Sequence, residues 1–168
     1  MPTQKILTFP HPLLKKRSHR VEVVDVNIQG LITDLIDTMK EGPGSVGVAA
    51  PQIGVLLSAC VVDVSSNRQG KDNNHGLLVM LNPELVSSSG SSIMREGCMS
   101  VPDYTGDVER ATLITVKYMN QEGETQTVEA SGFEAVAIQH EMDHLDGILF
   151  LDRILSLKTG LFRRKSYR

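Results

Sequence analysis

Ile28, Leu31, Ile32, Leu35, Ile36 and Met39 recur three or four positions apart, which predicts a helix with one apolar face, and Gly42-Pro43 ends it. The pattern then changes. Val55 to Val64 is a valine-rich apolar run and predicts a buried strand. Ser65 to Gly76 is polar, carries Asn, Asp and Gly, and reads as an exposed loop. Leu77 to Leu81 and Pro83 to Ser87 predict two short strands around a proline-marked turn. Thr112 to Met119 and Thr125 to Ala130 flank Asn-Gln-Glu-Gly-Glu, a hairpin signal. A second helix is expected from about Gly132 to Asp146, with Gly147 placed to end it. Ile148 to Leu151 follows as a short apolar segment.

On that second helix Phe133, Val136, Ala137, His140 and His144 share one stripe, while Ile138, Met142, Leu145 and Leu149 make another. A helix apolar on two sides is expected to be buried between layers. Strands dominate the first two-thirds without a repeated β-α-β order. The expected class is therefore α+β, with mostly antiparallel sheets packed around a central helix. No internal repeat or low-complexity linker interrupts the chain. Its 168 residues (1–168) are expected to form a single domain.

Charge and composition narrow the function. A net charge of -3 argues against nucleic acid as the main partner. No run of 18 apolar residues offers a membrane span. The N-terminus lacks the apolar core and cleavage site of a signal peptide, and two cysteines are too few for a disulfide framework. A reducing cytoplasm is the expected compartment.

The chemistry begins at His140-Glu141-Met142-Asp143-His144, the pattern H-E-x-x-H on the second helix. Residues four apart lie one above the other, so both imidazoles can reach one divalent metal. Glu141 projects to the side, within reach of a water on that metal. Cys98, in Arg95-Glu96-Gly97-Cys98-Met99-Ser100, is the candidate third ligand, its alternative being a small buried hydrophobe. Cys60, within an apolar run, reads as core. Gly44 to Gly54 is glycine-rich without the Lys-Ser/Thr ending of a phosphate loop, and Gln52 within it offers an amide donor. His11, His19 and His75 lie in polar or turn-like contexts and read as solvated. Asp143 reads either as the acceptor for a ligand histidine's other N–H or as a helix-surface charge.

Together the three segments Gly44 to Gly54, Glu96 to Ser100 and Gln139 to Gly147 resemble the signature motifs of the peptide deformylases, G-x-G-x-A-A-x-Q-[IV]-G, E-G-C-[LM]-S and Q-H-E-x-D-H-L-x-G. Phe9-Pro10-His11-Pro12-Leu13-Leu14 is similar to that family's usual opening. The resemblance implies hydrolysis of the formyl group from N-formylmethionyl nascent peptides, with formate as product. It implies Cys98, His140 and His144 as ligands and Glu141 as the catalytic carboxylate. It further implies Gln52 and the Met99 backbone N–H as oxyanion donors, with Gly47 beside them in the catalytic set. By the same resemblance Val46, Gly47, Glu96, Val136 and Ala137 border the methionine pocket, and Glu96 pairs with Arg110. The implied cofactor is one divalent ion, Fe2+ physiologically, with Zn2+, Ni2+ or Co2+ as substitutes.

Lys158, Arg163, Arg164, Lys165 and Arg168 make residues 158–168 a short basic tail without an acid. It reads as a solvated end or as a weak contact with the ribosome, where some deformylases dock through a basic extension. Two rival functions follow from the same residues: a zincin-like endopeptidase, since H-E-x-x-H serves both, and a scaffold that binds metal or formyl peptide without turnover. The Cys98 motif disfavours the first, and the intact set of Gln52, Glu141 and ligands disfavours the second.

Overall fold

The computed structural model describes residues 4–164. The first helix, α1 (Val26–Glu41), starts where Asp25 accepts a hydrogen bond from the Ile28 amide, and its apolar stripe is buried as the spacing predicts. Eight strands follow among the described residues: β1 (Gly47–Ala49), β2 (Ala59–Val62), β3 (Leu78–Ser89), β4 (Ser92–Cys98), β5 (Val101–Arg110), β6 (Leu113–Met119), β7 (Thr125–Ser131) and β8 (Leu161–Arg163). Helix α2 (Gly132–Leu145) lies between β7 and β8. The strands form a five-stranded sheet in the order β1-β2-β3-β6-β7 and a three-stranded sheet in the order β4-β5-β8. Every ladder is antiparallel, so the α+β expectation holds.

Three apolar clusters hold these layers. One, including Val62, Met80, Ile114, Val116 and Ile138, packs α2 against the larger sheet. A second packs α1 on the other face of β1 to β3 through Ile32, Leu35, Val61 and Leu81. The third lies under the smaller sheet and joins Val101 and Val108 to Leu149 and Phe150. Helix α2 is therefore enclosed, with Val136, Ala137, His140, Glu141 and His144 all at most 9% exposed. Gly147 ends the helix at φ 74, and a β-carbon there would collide with the Lys15 carbonyl.

Several expectations need correction. Val55 to Val64 is not one strand: β2 covers only Ala59–Val62, because Leu56 to Ser58 bond instead to the N-terminal segment at His19. Leu77 to Ser87 is not two strands but the single β3, whose register shifts between Leu81 and Glu84. Pro83 has no N–H to give the ladder, and Asn82 takes φ 51 there while its amide bonds the Val21 backbone twice. Sequence reasoning had no strand for β1, β4, β5 or β8. Residues 158–164 are no loose tail either, since β8 pairs with β5; the cations Lys165 and Arg168 lie outside the described residues.

Candidate active site

Cys98 comes from the end of β4, where the pairing with β5 is interrupted by a register shift between Gly97 and Cys98. Such a bulge re-aims the side chain at a strand end. Helix α2 presents His140 and His144 one turn apart, with ring centroids 5.0 Å from each other. The Cys98 Sγ lies 3.3 Å from His144 Nε2, and the sulfur and a ring nitrogen from each histidine all fall within 4.8 Å of one another. Ligands around a tetrahedral ion at ordinary Zn–S and Zn–N lengths sit roughly 3.5 Å apart, so this donor set fits a divalent cation. One soft sulfur with two imidazoles suits borderline metals.

The surroundings favour positive charge at this point. His140 Nδ1 lies 2.9 Å from Glu96 Oε1, which fixes the ring and leaves Nε2 for a ligand. Burial opposes a charge on His140, but its contacts with Cys98 and Glu96 prevail and raise its proton affinity well above that of a free imidazole. The same surroundings attract a metal ion. Burial lowers His144 well below the usual range, aided by His140 and Arg110, and so favours the neutral form in which an imidazole can bind a metal.

Arg110 anchors the arrangement. Its Nε and Nη2 donate to the two Glu96 oxygens at 2.8 and 2.9 Å, and Nη1 donates to Asp143 at 2.6 Å. Burial alone would raise the Glu96 carboxyl, yet the hydrogen bonds from Arg110 and His140 bring it down to about 2. Asp143 accepts from Arg110 and Arg153, so it is neither a surface charge nor a partner of a ligand histidine. That acceptor is Glu96.

Glu141 is fully enclosed, and burial pushes its carboxyl up to about 7. Gly47 packs directly on it: a β-carbon at 47 would come within 2.8 Å of Glu141 Oε2. Gln52 is oriented by its neighbours. Its Oε1 accepts from the Ala49 amide at 2.9 Å, which turns Nε2 toward Ser100 Oγ at 3.0 Å and Cys98 Sγ at 3.5 Å. Met99 follows Cys98 in the turn from β4 to β5 and lines the same cleft.

That cleft has a volume of about 220 Å³. Val46, Gly47, Glu96, Val136 and Ala137 all line it, together with Gln52, Cys98, Met99, His140 and Glu141. The remaining histidines are elsewhere. His11, His19 and His75 are all exposed, as expected; His11 also accepts from the Leu13 amide, and His75 pairs with the buried Glu134 at 2.6 Å. Cys60 is in the core, as expected.

A family model described as polypeptide deformylase matches residues 3–160. The chain belongs to the peptide deformylase family. A peptide deformylase of Syntrophobacter fumaroxidans is 41% identical over 160 residues, covering 95% of this chain and 91% of that one. The crystal structure of a peptide deformylase from Legionella pneumophila is 39% identical with a TM-score of 0.85, covering 94% of this chain and 89% of that one. A Met-Ala-Ser bound peptide deformylase from Acinetobacter baumannii is 34% identical with a TM-score of 0.85, covering 91% and 99%.

Against the deformylase motifs one position differs. Ser45 stands where the first pattern begins with glycine, and its hydroxyl donates to the Gly47 carbonyl at 3.2 Å. Among the cleft residues that sequence reasoning did not assign are Met94, Gln69, Arg95 and Arg164. Met94 lies two before Glu96 on β4, a spacing that tells something only once that strand is known. Gln69 and Arg164 carried no signal, because the turns of the polar loop and the pairing of β8 bring them there.

Proposed function

We propose that this chain, a metal-dependent hydrolase that removes the N-formyl group from nascent peptides, holds one ferrous ion on Cys98, His140 and His144, uses Glu141 as the proton carrier, and binds the oxyanion through Gln52 and the Met99 backbone N–H. The convergence of one thiol and two imidazoles, with Cys98, His140 and the enclosed Glu141 carboxyl lining the cleft, carries this reading. A divalent ion held there would lower the pKa of a coordinated water to near neutrality and polarise the formyl carbonyl.

Glu141 takes a proton from the attacking water. A carboxyl pushed up to about 7 is matched to that task at neutral pH. As the formyl oxygen gains charge, Gln52 Nε2 and the Met99 amide donate to it; one such donor is typically worth ~3 kcal/mol. Glu141 then hands its proton to the amine nitrogen as the C–N bond breaks, leaving formate and a free amino terminus. Val46, Val136 and Ala137 supply an apolar wall for the methionine side chain.

Residues 1–168 act as one catalytic domain in this reading, and the cytoplasm is its compartment. No described helix is long and apolar enough to cross a membrane. A weak ribosome contact through 158–168 would place the enzyme at emerging chains. Anaerobic purification, metal analysis and a formate-release assay on formyl-Met-Ala-Ser test the proposal. Stoichiometric iron with formate release is expected; release unaffected by stripping the metal would overturn it.

A further inference from the structure

The polar loop 65–76 has no part in the chemistry described above, yet it is firmly built. The Gln69 backbone N–H donates to Asn67 Oδ1 at 2.7 Å, and Asn74 Nδ2 donates to the Gly70 and Lys71 carbonyls at 3.0 and 3.1 Å. Gly70 is buried against Val64, whose side chain fills the space that a β-carbon at 70 would claim. The loop then docks on the start of α2. Asn73 Nδ2 donates to Ser131 Oγ at 2.8 Å. Glu134, 1% exposed, accepts from the His75 backbone N–H at 2.7 Å and pairs with the His75 ring at 2.6 Å.

Ser131 precedes the helix and Glu134 lies in its first turn, so these contacts bracket Phe133. The loop therefore approaches the cleft from that end, and Gln69 joins Phe133 in its lining. Phe133, Val136, Ala137, His140 and Glu141 all line the cleft and form one stripe of α2. At 1.5 Å per residue, Val136 stands about 6 Å and Phe133 about 10 Å along the axis from His140. Six bonds separate the formyl carbon from the thioether methyl of a formylmethionyl residue, about 8 Å when extended. With its formyl group at the metal ligands and its side chain along Val136 and Ala137, the substrate ends near the level of Phe133. The pocket must be closed there.

We propose that Gln69, set by the docking of its loop on α2, closes the far end of the methionine pocket and limits the side-chain length the enzyme accepts. The inference rests on the deformylase reading of the cleft. Gln69 is exposed, so shortening it opens the pocket toward solvent without emptying the core. His75 is a positioning residue: it touches α2 and holds the loop that carries Gln69.

The test compares kcat/KM of the metal-loaded enzyme on formyl-Met-Ala-Ser with that on formyl-ethionyl-Ala-Ser, whose thioether is one methylene longer. The parent is expected to favour the methionyl peptide by about ten-fold or more, the range for one methylene against a fitted pocket. Gln69→Ala should bring that ratio close to one, because the added methyl then passes the open end. Gln69→Met keeps the length of the side chain and should keep the parent's ratio. His75→Ala should lower the ratio part-way in the parent and change it no further in Gln69→Ala. Equal kcat/KM for the two peptides on the parent would overturn the proposal, and so would a Gln69→Ala variant that retains the parent's ratio. A His75→Ala variant that slows both peptides alike with the ratio intact would overturn the role of the docking, since that is the mark of a merely structural residue. Absence of formate from the methionyl peptide would overturn the functional reading, and this inference with it.

Discussion

Replacing Arg110 with Ala removes the cation that two buried carboxylates share. Glu96 and Asp143 would keep their places, 7% and 8% exposed, but lose three hydrogen bonds of 2.6 to 2.9 Å. Asp143 retains Arg153. Glu96 retains only His140, so it bears most of the loss. Left charged and unmatched, a buried carboxylate costs about 3–5 kcal/mol. Its escape is to take a proton, and at pH 7 protonating a group with an ordinary pKa of 4.5 costs about 3.4 kcal/mol at 1.36 kcal/mol per unit. Both routes agree on about 3–4 kcal/mol, roughly a third of a typical domain's stability and about 10 °C in Tm.

Urea unfolding of the metal-stripped protein measures this directly. The pH dependence follows from the sign of the shift. Glu96 is depressed in the folded state, so its contribution is complete above pH 4.5 and is lost as pH falls toward about 2. The gap between parent and Arg110→Ala should therefore be full at pH 7 and shrink below 4.5. Metal affinity should also fall, by about 10- to 100-fold, because Glu96, no longer anchored by Arg110, holds the His140 ring less firmly. A stability loss under 1 kcal/mol at pH 7, with unchanged metal affinity, would refute the assignment of Arg110 as the anchor of this network.

Three further outcomes are expected. Glu141→Gln should bind metal stoichiometrically yet lose at least about 100-fold in kcat, as removal of a proton carrier does; metal analysis beside single-turnover formate release checks it. Gly47→Ala should push the Glu141 carboxylate aside, since the added carbon would meet it at 2.8 to 3.0 Å. A fall in kcat with metal content unchanged is the expected signature, and parent-level kcat would count against that packing. Gln52→Leu keeps the volume but loses the donor, so kcat should drop by about 10² to 10³ while KM moves little. A change confined to KM would mean that the amide only helps bind substrate.

The helix bearing His140 and His144 was legible because one stretch carries both a 3.6-residue apolar period and the metal spacing. Cys98 needed more. Its local sequence admits a plain buried thiol, and only the resemblance to the deformylase motifs ties it to a histidine 46 positions away. The β4–β5 hairpin around it was opaque because Arg95, Glu96, Arg110 and Gly106 break the apolar alternation that marks a strand. Glu96 and Arg110 are buried through each other, and no local pattern announces such a network. The role of Asp143 was misjudged for the same reason, since its partners Arg110 and Arg153 come from elsewhere in the chain. Arg164 was illegible as a cleft residue: a basic end looks the same whether it pairs as a strand or floats.

The bulge that turns Cys98 toward α2 also fixes when the site can come into being. Its sulfur belongs to the small sheet, and its nitrogens belong to the helix enclosed against the large one. The full donor set exists only once the two layers have docked, so the tightest hold on an ion must await that docking, and an ion held there would rivet them together. By linkage, the free concentration of such an ion would govern how firmly the two halves stay closed.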